Sequence, residues 1–154
     1  MNLFERGRRG IRICLALGLK YDAGISLHVK SIAAQVLGDP KEVKEICEKL
    51  VDIGYLVRDP AAAKSYMLAI DPEHILLGNI IQVCEEGLHL TDCSIAKSCP
   101  VKDWCFFDKR LWGGLQDRIY EMLNQITLQS FLDNMYTMSE VAPKNCHLSQ
   151  LKDD

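Results

Sequence analysis

Cys93, Cys99 and Cys105 lie in the stretch CSIAKSCPVKDWC, with five residues between successive thiols. Zinc knuckles grip one small ion between cysteines about two to four residues apart, and these gaps are wider. Such a loop suits a larger inorganic body, and iron-sulfur clusters are held by thiolates at varied spacings. A cluster is the favoured occupant from spacing, and a zinc ion stays as the other reading. Pro100 stiffens the second gap, while Trp104, Phe106 and Phe107 are placed to keep water from the site, which helps set a redox potential. Three thiolates leave one position short of four. Asp108 is the nearest candidate, on the same face as Cys105 if a helix has begun there; Glu5, His89 or a small ligand are the others. An oxygen ligand holds iron less firmly than sulfur, which makes that corner the labile one. Cys14, Cys47 and Cys84 fall on apolar helical stripes and are expected to pack as small hydrophobes.

The elements around the loop set its use. The chain has 154 residues, enough for one core with an extension. The start MNLFERGRRG is charged where a secretory signal needs an apolar run, and nothing later reaches the roughly 18 apolar residues of a membrane span. The expected location is the cytoplasm, with no membrane partner, and seven cysteines in that reducing compartment point to metal or redox chemistry. Residues 1–70 hold eleven Lys or Arg against eight Asp or Glu, whereas residues 71–154 hold seven against thirteen. A weakly basic half joined to an acidic half lets one surface approach phosphates.

Periodicity supplies the framework. Arg6 to Leu19 reads as a first helix with Ile11, Leu15 and Leu19 on one face, and YDAGISLHV as a turn into a short strand. Val29, Ile32, Ala33 and Val36 define a second helix that is expected to stop at Gly38. Asp39 and Pro40 cap and open a third, through Val43, Ile46, Cys47, Leu50 and Val51 to Gly54. Two short strands around RDPAAAK follow, so a helix-turn-helix carries a hairpin, which is a winged helix. Leu77, Ile80, Ile81 and Cys84 mark a fourth helix ending at Gly87. Beyond the cysteines, the period from Leu111 through Ile126 predicts a long amphipathic helix, which needs a partner, most simply its own copy in a homodimer. ITLQSFLDNM is a candidate closing helix, and the tail beyond Ser139 is expected to be mobile. The fold class expected is mainly α (α+β): a winged helix-turn-helix over 1–86, a cluster-binding loop over 87–107, a dimerisation helix with its closing segment over 108–138, and a tail over 139–154.

From MNLFERGRRGI through GYLV, the wing, the triplet Cys93, Cys99, Cys105, and on to LW and ITLQSF, the chain resembles the bacterial iron-sulfur winged-helix transcriptional regulators that include IscR and NsrR. The resemblance implies that the three cysteines ligate a 2Fe-2S or 4Fe-4S cluster and that the cluster changes binding to promoter DNA. It also implies a response to cluster supply, nitric oxide, iron or redox stress. The sequence departs from the family pattern in three places. Asp108 stands where one branch has histidine and Arg8 where another has an acidic residue. The wing has alanines for glycines, and alanine adopts positive φ less readily. The third helix carries Glu42, Glu45 and Glu48, which repel phosphates.

In a helix-turn-helix the second helix enters the major groove, so Lys41 and Lys44 near its start are the candidate contacts to double-stranded promoter DNA. Arg58 on the wing is the candidate for the minor groove, where the resemblance also places an arginine. Lys64 is the candidate for a phosphate, and Arg6, Arg8 and Arg9 for the DNA backbone. Each also reads as an ordinary solvated charge. The alternative function is a winged-helix regulator or protein-interaction module with a structural zinc or thiol-based sensor and weak or no DNA binding. No phosphate-binding glycine loop, HExxH or nucleophile elbow is present, so an enzyme is not expected.

Overall fold

The structure is a computed structural model, and it describes residues 4–86, Cys105 and residues 109–138. Cys93, Cys99, Asp108, Gly87, His89 and the tail from 139 lie outside the described residues. Helix α1, Glu5–Gly18, is the centre of the molecule. It is buried over Ile13–Leu17 on nearly every side, so its burial extends beyond the expected face of Ile11, Leu15 and Leu19. Ile11 and Leu19 are partly buried and pack against the core, and α1 touches the next two helices and a strand of the wing as well as the later helices. Toward its start the buried positions are Gly7 and Gly10, which bring α1 close to Ile80, Ile81 and Cys84 of a later helix.

Strand β1, Leu27–His28, leads directly into α2, Val29–Val36. His28 caps α2: its Nδ1 accepts from the Lys30 N–H at 3.1 Å, satisfying a donor that the first turn leaves free. The expected stop at Gly38 shifts by one residue. Leu37 takes the left-handed conformation, with φ of 52°, and the Gly38 N–H reaches back to the Ala33 carbonyl at 2.9 Å. Gly38 serves packing instead, since a Cβ there would lie 3.0 Å from Val43 Cγ2 and 3.3 Å from Arg9 Cδ.

Helix α3, Pro40–Asp52, starts as its sequence dictates, with Pro40 in the first turn and the Asp39 carboxylate accepting from Lys41 N at 3.0 Å and Glu42 N at 3.2 Å. Val43, Ile46, Cys47 and Leu50 are buried against α1 and α2. Strands β2, Leu56–Arg58, and β3, Ser65–Leu68, form the wing, with Leu56 opposite Leu68 and Arg58 opposite Tyr66. With β1 they make an antiparallel sheet in the order β1-β3-β2. The left-handed residue of the wing is Lys64, with φ of 59°; none of the three alanines needs a positive φ. Asp59 organises the turn, its carboxylate accepting from the Ser26 hydroxyl and from Ala61 N–H.

A short 3-10 turn at Pro72–His74 leads to α4, Leu77–Cys84, which buries Leu77, Ile80, Ile81 and Cys84 as expected but ends ahead of the expected stop at Gly87, with Glu85 and Glu86 already in a turn. Helices α5, Lys109–Leu123, and α6, Leu128–Met138, follow. The expected run of the long helix to Ile126 is corrected. Helix α5 ends at Leu123, because the Ile126 carbonyl accepts from Leu77 N–H at 3.1 Å and Leu128 N–H donates to the Ile75 carbonyl at 2.8 Å. That pairing pulls the chain into an extended link beside Leu76. The closing segment is a full helix, and α6 returns Leu128 and Leu132 to the core against α1. The result is a winged helix with additional helices.

Candidate nucleic-acid interface

Helix α3 presents two kinds of charge. Lys41 and Lys44, the expected major-groove contacts, are exposed and carry no ion pair among the described residues. Glu42, Glu45 and Glu48 are each partnered. Arg9 of α1 pairs with Glu42 and, at 3.7 Å, with Glu5; Arg6 of α1 pairs with Glu45 at 3.5 Å; Arg58 of the wing pairs with Glu48. The repulsion of phosphates expected from the three glutamates is therefore offset locally, by three of the arginines read from sequence as DNA contacts.

Glu48 is the most engaged of the three. It accepts from Arg58 and, at 2.5 Å, from the hydroxyl of Tyr66, whose ring is buried under the sheet. These hydrogen bonds, Arg58 first and Tyr66 second, hold its carboxyl below the usual range. Burial pushes the Tyr66 phenol up, and the Glu48 carboxylate adds to the shift. Arg58 and Lys64 sit at opposite ends of the wing turn, and both are exposed. The Lys64 carbonyl accepts from Val29 N–H at 2.9 Å, which ties the wing to the start of α2. Arg8 is exposed on α1, with no ion pair among the described residues.

A cleft of about 550 Å³ runs beside α3, bounded by Arg6, Lys41, Lys44, Glu45, Glu48, Lys49 and Glu86. It brings Arg6, Lys41 and Lys44 together, while the wing adds Arg58 through Glu48. Two residues of the site have no forewarning in the helical period. Just past the end of α4, Glu85 accepts from Gly7 N–H at 2.7 Å, and Glu86 pairs with Lys49 of α3 at 2.7 Å. That ion pair lowers the Glu86 carboxyl. Glu86 takes a φ of 58°, which a non-glycine residue rarely adopts. The paired acidic residues ahead of Gly87 are the available sequence signal. On the other flank of α4, Asn79 donates to the Tyr55 hydroxyl at 2.8 Å and accepts from the Tyr120 hydroxyl at 2.5 Å, linking the base of the wing to α5.

Cys14, Cys47 and Cys84 are fully buried, free thiols. Burial raises all three, and it pushes Cys47 and Cys84 up to about 12. They stay protonated and are poor metal ligands. Cys105 is free and half-buried, ahead of α5. Among the described residues no group of three His, Cys, Asp or Glu side chains converges as a metal site does. No helix among the described residues is long and apolar enough to cross a membrane.

Residues 3–134 match the Rrf2 family, described as an iron-dependent transcriptional regulator. The HTH-type transcriptional regulator IscR of Escherichia coli O1:K1 / APEC is 26% identical over 149 residues, covering 96% of this chain and 90% of its own. Among solved structures, oxidized CymR of Staphylococcus aureus superposes with a TM-score of 0.67 at 22% identity, over 86% of this chain and 96% of its own. T. potens IscR gives 0.63 at 22%, over 97% and 96%. The solved structures establish the winged-helix fold, and the relatives are transcriptional regulators rather than enzymes. With a match that spans all but the ends of the sequence, the chain belongs to the Rrf2 family of transcriptional regulators.

Proposed function

We propose that the chain is a cytoplasmic, homodimeric, iron-sulfur-dependent regulator that binds double-stranded promoter DNA. Residues 1–86 read DNA, 87–107 hold the cluster and 108–138 join the subunits. The observation that carries the reading is the place of the cysteine segment. It leaves α4 just after Glu85 and Glu86, which grip α1 and α3, and it returns at Cys105 ahead of α5.

The donor set fits a cluster. Cys105 is the described cysteine that is open to a ligand, whereas Cys14, Cys47 and Cys84 are sealed in the core and protonated. Cys93, Cys99 and Cys105 would hold a 2Fe-2S or 4Fe-4S cluster, with Asp108 as the fourth ligand. When bound, the cluster supplies an iron centre open to nitric oxide, oxygen or a one-electron change.

On the DNA side, Lys41 and Lys44 meet the major groove, Arg58 the minor groove, and Lys64, Arg6, Arg8 and Arg9 the phosphates. Helix α5 leaves Leu111, Leu115 and Met122 exposed, by 50%, 43% and 67%, at spacings that form one stripe for a second copy. The grip of Cys93, Cys99 and Cys105 on a cluster would pull on Glu85 and Glu86. Through them it moves the start of α1 and the middle of α3 in each subunit. Two half-sites must be met about one helical turn apart, so a small rotation changes specific affinity.

Anaerobic purification with absorption spectroscopy and iron and sulfide assays tests this. A coloured protein whose iron is lost in a Cys93→Ser, Cys99→Ser, Cys105→Ser triple variant, together with altered promoter binding, supports it. A colourless protein with one zinc per chain, or regulation that persists after iron chelation and follows peroxide, would select a zinc or thiol sensor instead.

A further inference from the structure

We propose that Glu42, Glu45 and Glu48 set DNA selectivity by serving as built-in competitors for phosphate, each holding one arginine that would otherwise bind any duplex. The inference rests on the reading of α3 and the wing as the DNA-facing surface. Its basis is a pairing that repeats three times along one helix. The glutamates recur at every third position of α3, and their partners arrive from separate places: Arg9 and Arg6 from α1, and Arg58 from the wing. Each partner is an arginine of the expected DNA surface, whereas Lys41 and Lys44 on the same helix are left without an ion pair among the described residues.

The pairs are open enough to exchange. Side-chain exposures are 19% and 32% for Arg9 and Glu42, 34% and 56% for Arg6 and Glu45, and 62% and 31% for Arg58 and Glu48. A phosphate oxygen competes for a guanidinium on similar terms to a carboxylate. On a random duplex, taking an arginine from its glutamate trades one ion pair for another and leaves a carboxylate without its cation facing phosphate, so little is gained. On the operator, contacts of Lys41, Lys44 and the groove-facing turn of α3 form at the same time and offset that loss. The glutamates therefore lower affinity for bulk DNA more than for the operator, which raises the ratio that matters in a genome.

The test uses the full-length protein, purified anaerobically, and two duplexes: one selected from a random pool by the unsubstituted protein, and a shuffled version of it. Binding is measured by fluorescence anisotropy from about 50 to 200 mM salt. Glu42→Gln, Glu45→Gln and Glu48→Gln should each bind the shuffled duplex several-fold more tightly at low salt. The slope of log K against log salt should steepen by about 0.9 for each arginine freed, and by less in Glu42→Gln, where Glu5 still holds Arg9 at 3.7 Å. The gain on the selected duplex should be smaller. In the doubles Glu42→Gln/Arg9→Gln, Glu45→Gln/Arg6→Gln and Glu48→Gln/Arg58→Gln the gain on the shuffled duplex should vanish while binding of the selected duplex persists, which a general loss of structure would not produce. Unchanged or weaker binding to the shuffled duplex in all three single variants, with an unaltered slope, would overturn the proposal while leaving the DNA-binding reading in place. An unsubstituted protein that enriches no duplex would overturn both.

Discussion

Replacing Gly10 by alanine puts a methyl group into a tight contact between α1 and α4. Its Cβ would lie 2.6 Å from the sulfur of Cys84 and 3.0 Å from Ile80 Cγ2, against about 3.5–4.0 Å for relaxed contact between non-bonded heavy atoms. Cys84 and Ile80 are both wholly buried, so neither has free space to turn into. Overpacking of this kind costs about 1–3 kcal/mol, and the sulfur overlap places this site in the upper part of that range. Alanine regains about 1 kcal/mol from its better helix propensity within α1. The net loss is therefore about 1–2 kcal/mol, and Tm falls by about 3–6 °C for a chain of this size. Urea unfolding followed by circular dichroism, at one fixed protein concentration, measures it. A second substitution, Cys84→Ala, removes the clashing sulfur, so the double variant should recover most of the loss. Equal or greater stability in Gly10→Ala, or a double variant less stable than either single one, would refute the α1–α4 packing argument.

Glu48 gives a pH signature. Its carboxyl is depressed by Arg58 and then by Tyr66, so its contribution is present above the unfolded-state carboxyl range, near pH 4.3, and is lost as pH falls through its lower folded value. The stability gap between the unsubstituted protein and Glu48→Gln should hold steady near neutrality and shrink on acidification below about pH 4.3; urea midpoints across pH that show a widening gap contradict this. Alkylation of the native, cluster-free protein, read by mass spectrometry, should label Cys105 well before Cys14, Cys47 or Cys84, whose burial suppresses the thiolate. Comparable rates for any of the buried three would count against their place in the core. Met122→Glu and Leu115→Glu put charge on the exposed stripe of α5 and should move sedimentation-equilibrium mass toward one chain; an unchanged dimer mass would place the subunit contact elsewhere.

What the sequence discloses is what short-range physics decides. Helix α3 is legible because Asp39 and Pro40 declare its start while Val43, Ile46, Cys47 and Leu50 keep one face apolar, and both signals lie within a few residues. The end of α5 is not. Ile126 keeps the helical period, but the helix stops because Ile126 and Leu128 bond to Leu77 and Ile75, some fifty residues earlier in the chain. The site divides in the same way. Its cations are visible as residue types, and the helix-turn-helix places Lys41 and Lys44 on an exposed face. The pairing of the glutamates is invisible to periodicity, since Arg9 reaches Glu42 across 33 positions and Arg6 reaches Glu45 across 39. Gly38 shows both limits: its presence suggests a helix stop, while its necessity comes from the approach of Val43 and Arg9.

Asn79 clasps Tyr120 at a single hydroxyl, and this limits how α5 can travel. Sliding α5 along α4 by one residue shifts it about 1.5 Å and takes the oxygens out of bonding range. Swivelling about the hydroxyl leaves the bond intact. From Tyr120 to Lys109 is about 16 Å of helix, so a 10° swing carries the cysteine-side end through about 3 Å while the pivot barely moves. The arrangement is a lever whose fulcrum is seated on α4.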